Sequence, residues 1–138
     1  IYGGAGSDIT LSNNGSVTFS GNGNTALLGG AIYGGDYSTI TLSGNGSVTF
    51  SGNTASYGGA ILAYGNLSIR NNDAVLFEKN TEIRNGSYRL RSIYAGGSGD
   101  VISLSAAEGK SIEFRDSIYI GSGSTVEYNA DYTDSAGG

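Results

Sequence analysis

A repeat of 31 residues is the feature that most restricts how this chain can fold. Residues 1–22, IYGGAGSDITLSNNGSVTFSGN, return as IYGGDYSTITLSGNGSVTFSGN at residues 32–53. A looser copy, ILAYGNLSIRNNDAVLFEKN, follows at residues 61–80, and its spacing is shortened to 27 residues. Repeats of this length are typical of solenoids, in which each unit buries its apolar face only against the units beside it.

Each copy contains three short stretches in which apolar and polar residues alternate, at 8–11, 16–19 and 30–33 in the first copy. A period of two marks a strand with one buried face. Stacking coil on coil joins equivalent apolar residues into columns: Ile9 with Ile40 and Leu67, Leu11 with Leu42 and Ile69, Val17 with Val48 and Val75, and Phe19 with Phe50 and Phe77. The sequence therefore predicts an all-β fold, a right-handed parallel β-helix of about four to five coils with three short strands per coil.

An antiparallel β-sandwich is the alternative fold. Asn-Gly pairs begin at Asn14, Asn45 and Asn85, and such pairs are typical of two-residue hairpin turns. A sandwich explains the local alternation, but it does not explain why the same turn returns after a whole coil. We therefore favour the β-helix.

The regularity of the repeat decreases along the chain. We interpret residues 1–138 as one β-helical segment of a longer protein or fibre, with regular repeats at 1–80. A degenerate coil with a loop is expected at 81–97, and divergent coils at 98–138. In the fourth copy Phe114 is followed by Arg-Asp-Ser, so Asp116 is interpreted as a substituted corner where the other copies have asparagine.

One asparagine follows the core phenylalanine by three residues in each regular copy, at Asn22, Asn53 and Asn80. Stacked coils would place these amides one above another at an inward corner, where they can donate and accept along the column. We predict a structural ladder of Phe19, Phe50 and Phe77 beside Asn22, Asn53 and Asn80. A second set, Asn14, Asn45 and Asn72, is interpreted as turn formers, because two of its members precede glycine.

Composition argues against catalysis. The chain has no cysteine and no histidine, which excludes disulfides, thiolate zinc sites and the usual general base at neutral pH. The aspartates occupy different phases of the repeat, and Glu113 and Asp116 form an acidic pair close in sequence. We expect a non-catalytic protein with no cofactor and no metal site.

Charge and hydropathy restrict the partners. The formal net charge is −5, with the acidic and basic residues scattered singly, which disfavours a nucleic-acid partner. No apolar run reaches the 18 or so residues of a membrane span, so we expect no direct membrane insertion.

The main concentration of basic and aromatic residues lies where the Gly-Gly-Ala-Ile spacing fails. We interpret residues 83–91 as a loop leaving the coil. The candidate contact residues on and beside this loop are Arg84, Tyr88, Arg89, Arg91 and Tyr94. Loops carry function more often than regular walls do.

Two short motifs alternate along the chain. Gly-Gly-Ala-Ile occurs at 29–32 and 58–61, and Phe-x-x-Asn begins at Phe19, Phe50 and Phe77. This alternation resembles the chlamydial polymorphic outer-membrane protein repeat, and residues 104–118 are similar to the region that follows those repeats. The resemblance implies a β-helical passenger of the autotransporter type, exported through a C-terminal membrane barrel and displayed for adhesion.

The sequence thus favours a surface-displayed adhesin or passenger scaffold, located outside the cell or on the bacterial surface. Its expected partner is a receptor or glycan on a host or neighbouring cell. The alternative is a subunit of an extracellular filament, in which the open coil beginning at Ile1 stacks on the glycines at 137–138 of another copy. A polysaccharide-acting enzyme is the third and weakest interpretation.

Overall fold

The structure, a computed structural model, describes residues 1–23, 28–128 and 132–134 and is built there from β-strands without a helix. In these ranges no helix is long and apolar enough to cross a membrane. Nearly all strand pairs are parallel, and each strand pairs with the strand one coil away. The parallel β-helix is therefore confirmed, and the antiparallel sandwich is wrong.

Three walls of stacked strands run along the axis of the β-helix. Wall A contains β1 (Tyr2–Gly3), β4 (Ile32–Gly34), β8 (Ile61–Ala63), β12 (Ser87–Ala95) and β15 (Ser117–Ile120). Wall B contains β2 (Asp8–Ser12), β5 (Thr39–Ser43), β9 (Asn66–Arg70), β13 (Val101–Ser105) and β16 (Thr125–Tyr128). Wall C contains β3 (Ser16–Ser20), β6 (Ser47–Ser51), β10 (Ala74–Glu78), β14 (Ser111–Phe114) and β17 (Tyr132–Asp134). Two further strands, β7 (Thr54–Ala55) and β11 (Thr81–Arg84), extend the sheet of wall A.

About three turns are described from end to end rather than the four to five coils expected. Pairing of Ile32 with Ile61, of Ile61 with Ile93, and of Ile93 with Ile118 marks the start of each successive turn. The turns before and after these pass through 24–27 and 129–131, which lie outside the described residues. The glycines at 137–138, invoked for stacking between copies, also lie outside them.

The core is a set of apolar columns in register. Wall C aligns Val17, Val48, Val75 and Ile112, and beside them Phe19, Phe50, Phe77 and Phe114. The phenylalanine rings stack face to face, with centroids 5.0, 4.7 and 4.5 Å apart along the column. Because side chains alternate between the two faces of a strand, each column comes from every second residue of the repeat.

The corners between strands share one backbone device. The residue before each of six asparagines has a positive φ: Asn13 (57°), Gly21 (62°), Gly44 (66°), Gly52 (65°), Asn71 (53°) and Lys79 (57°). Glycine and asparagine tolerate this left-handed conformation, whereas lysine adopts it at a cost of about 1–2 kcal/mol. The bend turns the following asparagine toward the interior. Two corners of every regular coil therefore direct an asparagine side chain inward.

The segment expected to be a loop at 83–91 is instead a regular β-hairpin. β11 and the first half of β12 pair antiparallel, with Arg84 opposite Ser87. Asn85 and Gly86 form the two-residue turn with φ of 50° and 75°, the conformation that Asn-Gly pairs favour. Of the three Asn-Gly pairs named above, only the pair at Asn85 forms a hairpin turn. Asn14 and Asn45 lie at corners of parallel coils.

Replacing Phe50 with alanine should lower the free energy of unfolding by about 3–5 kcal/mol, because a fully buried ring between two others leaves a cavity. Phe19→Ala is the matched control. Its ring is partly buried and stacks on Phe50 alone among the described residues, so its loss should be clearly smaller. Urea unfolding of both variants measures the difference, and equal losses would contradict the stacked column.

Candidate functional site

The asparagines predicted to form a ladder lie one above another. The backbone N–H and the Nδ2 of Asn22 both donate to Oδ1 of Asn53, at 3.0 and 2.9 Å. Asn53 repeats the arrangement onto Oδ1 of Asn80, at 3.1 and 2.9 Å. Each Nδ2 also donates to a main-chain oxygen of the preceding coil, that of Phe19 for Asn53 and that of Phe50 for Asn80. The amides of Asn53 and Asn80 are buried and satisfied by this ladder, so neither is available to a ligand.

The second set of asparagines lies at turns, as expected, but it also forms a ladder, which was not predicted from the sequence. Asn14 donates twice to Oδ1 of Asn45, and Asn45 donates twice to Oδ1 of Asn72, at 2.9 to 3.0 Å. The physical reason is the shared corner, because here too the asparagine follows a residue with positive φ. The glycine after Asn14 and Asn45 marks where the next strand begins and does not by itself define the turn.

Asp116 closes the first ladder in place of an asparagine. Its carboxylate accepts from the backbone N–H of Lys79 and of Asn80, at 2.9 and 2.8 Å, and from the Ser92 hydroxyl at 2.8 Å. Ser92 is the extra residue of a β-bulge between Arg91 and Ile93, which accounts for its inward position. All of these partners are donors, which is why a carboxylate suits the end of the ladder better than an amide.

The acidic pair Glu113 and Asp116 does not form a joint site. Asp116 is buried and hydrogen-bonded within the ladder, whereas Glu113 is half-buried and its carboxylate accepts from Arg115 at 2.8 Å. In the part of the chain that the structure describes, no group of three or more Asp, Glu, His or Cys residues could hold a metal ion.

The hairpin has a charged face and, on its opposite side, an apolar face. Residues opposite one another across a strand pair share a face, so Glu82 and Arg84 lie on one side, and Ile83 with Tyr88 on the other. Tyr88 is 73% exposed and Leu90 is 54% exposed. Among the described residues beyond the first coil, only Tyr37 is a more exposed large apolar side chain. The apolar side therefore faces solvent.

Glu82 anchors the charged side. Its side chain is 1% exposed, and Oε1 accepts from the backbone N–H of Gly58 at 2.9 Å. Oε2 accepts from Arg84 at 2.8 Å and from Arg91 at 3.2 Å. One carboxylate thus serves two guanidinium groups, and Nε of Arg91 is buried without a partner in the described residues. The cluster has an excess of positive charge and of donors.

A row of tyrosines lies against this cluster on the outside of wall A. Pairing puts Tyr2, Tyr33, Leu62, Tyr94 and Tyr119 in one outward-facing file. Tyr94 and Tyr119 stack at 4.4 Å, and Tyr57 meets Tyr94 edge-on at 5.1 Å. Leu62 is fully buried although it lies outside the main core cluster, which indicates that its neighbours cover it from outside.

The two arginines are held over these rings. The guanidinium of Arg84 lies 4.4 Å from the Tyr57 centroid, and that of Arg91 lies 5.2 Å from the Tyr119 centroid, within the range of cation–π attraction. Burial lowers the pKa of Arg84, but the hydrogen bond and charge of Glu82, followed by Tyr57, outweigh it, so the net shift is upward. Burial, reinforced by Tyr119, raises the pKa of Tyr94. Arg84 is therefore a fixed cation close to the neutral phenol of Tyr94.

The structure brings together three of the five predicted contact residues, Arg84, Arg91 and Tyr94. Tyr88 and Arg89 lie apart from them, exposed on the hairpin. Sequence reasoning missed Tyr57, Tyr119 and Glu82. The tyrosines belong to neighbouring turns and become neighbours only through the register, and Glu82 gives no signal beyond its place in a short alternating stretch.

No family model, no curated protein and no solved structure matches this chain.

Glu82→Ala should destabilise the protein by about 3–5 kcal/mol, because it leaves two partly buried guanidinium groups and the Gly58 N–H without their acceptor. Glu78→Ala is the matched control, since Glu78 also pairs with an arginine, but with the exposed Arg115. Chemical denaturation of both variants should show a much smaller loss for Glu78. Similar losses for the two would show that the hairpin is not anchored by Glu82.

Proposed function

We propose that this chain is a non-catalytic scaffold segment of a surface-displayed bacterial protein, and that its hairpin side contacts a receptor or glycan on another cell. The observation that carries the proposal is the hairpin itself, which departs from the parallel coil pattern and exposes Tyr88 and Leu90 on one face and Arg89 on the other. An exposed group of aromatic, arginine and aliphatic side chains has the composition of contact surfaces.

The regular part of the chain supports the scaffold role. Its buried asparagines bond along the axis within the two ladders and at the Asp116 corner. A rod built in this way holds a projecting element at a fixed place without a large core, since each coil needs only its neighbours. The likeness of the Gly-Gly-Ala-Ile and Phe-x-x-Asn motifs to the polymorphic outer-membrane protein repeat favours a displayed, autotransporter-type passenger.

The absence of catalysis is part of the proposal. Acid–base chemistry on a polysaccharide needs two carboxyl groups held on one face within about 10 Å of each other and open to substrate. Asp116 and Glu82 are both buried and accept several hydrogen bonds each, so neither is presented to a substrate. Asp36 and Asp100 do line one open cleft, and the proposal expects no turnover of polysaccharide there.

The proposal is tested with fluorescently labelled protein and intact cells, epithelial and bacterial, counted by flow cytometry. Binding should be saturable on at least one cell type, and a variant with Tyr88→Ala, Arg89→Ala and Leu90→Ala should lose about tenfold or more in affinity, as expected when contact residues are truncated.

The control removes the same three residue types from elsewhere on the surface, as Tyr37→Ala, Arg70→Ala and Leu76→Ala. It should retain the affinity of the unmodified protein. Absence of saturable binding to either cell type, or an equal loss in the control, would contradict a contact role for the hairpin.

A further inference from the structure

A small cleft opens beside the hairpin, next to Arg84. It has a volume of about 180 Å³ and is lined by Ser56, Tyr57, Ile83, Arg84 and Asn85. Its walls come from two successive turns of the chain, the segment after β7 and the tip of the hairpin. The site therefore exists only in the folded coil stack.

The cleft is lined by hydrogen-bonding groups and by one cation, without a carboxylate. The nearest carboxylate, that of Glu82, is 1% exposed and already accepts from Gly58, Arg84 and Arg91. The second cleft of similar size, about 220 Å³, is lined by Asp36, Asp100 and Tyr64 among others, and so has the opposite charge. The chain thus has an anion-attracting and an anion-repelling cleft, although its net charge is −5.

Arg84 is held in place before any ligand arrives. Its Nη2 donates to Glu82 at 2.8 Å, and its plane lies against the Tyr57 ring at 4.4 Å. The side chain remains 33% exposed, and a guanidinium has five N–H donors in a fixed fork that matches two oxygens of one anion. A group held in this way loses little conformational entropy when it binds, which favours affinity.

We propose that this cleft binds one anionic unit of a saccharide, with a carboxylate or sulfate ester on Arg84. The neighbouring Ser56 hydroxyl and Asn85 amide each donate and accept, as the adjacent hydroxyl groups of a sugar ring require. The volume suits a single sugar ring rather than an extended chain. This inference rests on the proposed contact function and adds the chemical class of its ligand.

The test uses isothermal titration calorimetry with four probes: a galacturonate tetramer, a sulfated galactan tetramer, a neutral galactan tetramer and a glutamate-rich peptide. An anionic tetramer should bind, and the neutral one should bind at least about tenfold more weakly, as the loss of a charge-assisted hydrogen bond predicts. The preferred anionic tetramer identifies carboxylate or sulfate as the recognised group. Raising the salt concentration should weaken binding.

Arg84→Gln should lower the affinity for the anionic tetramer about tenfold or more. The matched control is Arg115→Gln, since Arg115 is also held by glutamate, here Glu78 and Glu113, but lies elsewhere on the surface. Ser56→Ala is a second variant outside the hairpin, so it tests the cleft even if Arg84→Gln loosens the hairpin, and it should also weaken binding. In amide NMR spectra the shifts caused by ligand should centre on Ser56 and Asn85.

Equal binding of neutral and anionic tetramers, or unchanged affinity in both Arg84→Gln and Ser56→Ala, would overturn the inference. Binding of the acidic peptide alone would also overturn it and would point to a protein partner. If no saccharide binds while the hairpin still mediates attachment to cells, the inference fails and the contact function stands. If an anionic saccharide binds but the protein does not attach to cells, the inference stands and the contact function fails.

Discussion

The structure depends on hydrogen bonds that run along the axis from each coil to the next. At two corners a carboxamide both donates to the following coil and accepts from the preceding one, so each asparagine fixes the height and rotation of its neighbours. A narrow interior has few other means of satisfying corner backbone groups, and an unsatisfied buried group costs about 1–3 kcal/mol. The apolar columns follow from this register, because coils aligned at their corners bring phenylalanine onto phenylalanine.

The repeat predicted the columns and the first ladder because a period identifies residues that occupy the same place in successive coils. It did not predict the second ladder, since the glycine after Asn14 and Asn45 resembles an ordinary turn signal. The common feature, a residue with positive φ before the asparagine, is visible in the sequence as Asn-Asn or Gly-Asn at most of the six positions. Only coordinates show that it has the same effect at both corners.

The candidate site lies where the repeat period fails. The sequence therefore indicated the region of the site but not the contacts between its side chains. The concentration of arginine and tyrosine indicated the region, but an antiparallel hairpin adds contacts that no parallel register contains. Glu82 is buried because the hairpin folds back against the Gly58 turn, and Tyr57 and Tyr119 reach the arginines from neighbouring turns. The scaffold thus supplies a rigid frame, and one irregular element gives the frame a distinct surface.

The most direct test of the axial ladders is hydrogen exchange of the asparagine side-chain amides, followed by NMR on protein labelled with nitrogen-15. The Nδ2 protons of Asn45, Asn53, Asn72 and Asn80 are buried and hydrogen-bonded, so they should exchange only through opening of the coil stack, many-fold more slowly than those of the exposed Asn85. Exchange of the four at the rate of Asn85 would contradict the ladders and, with them, the account of how the coils are held together.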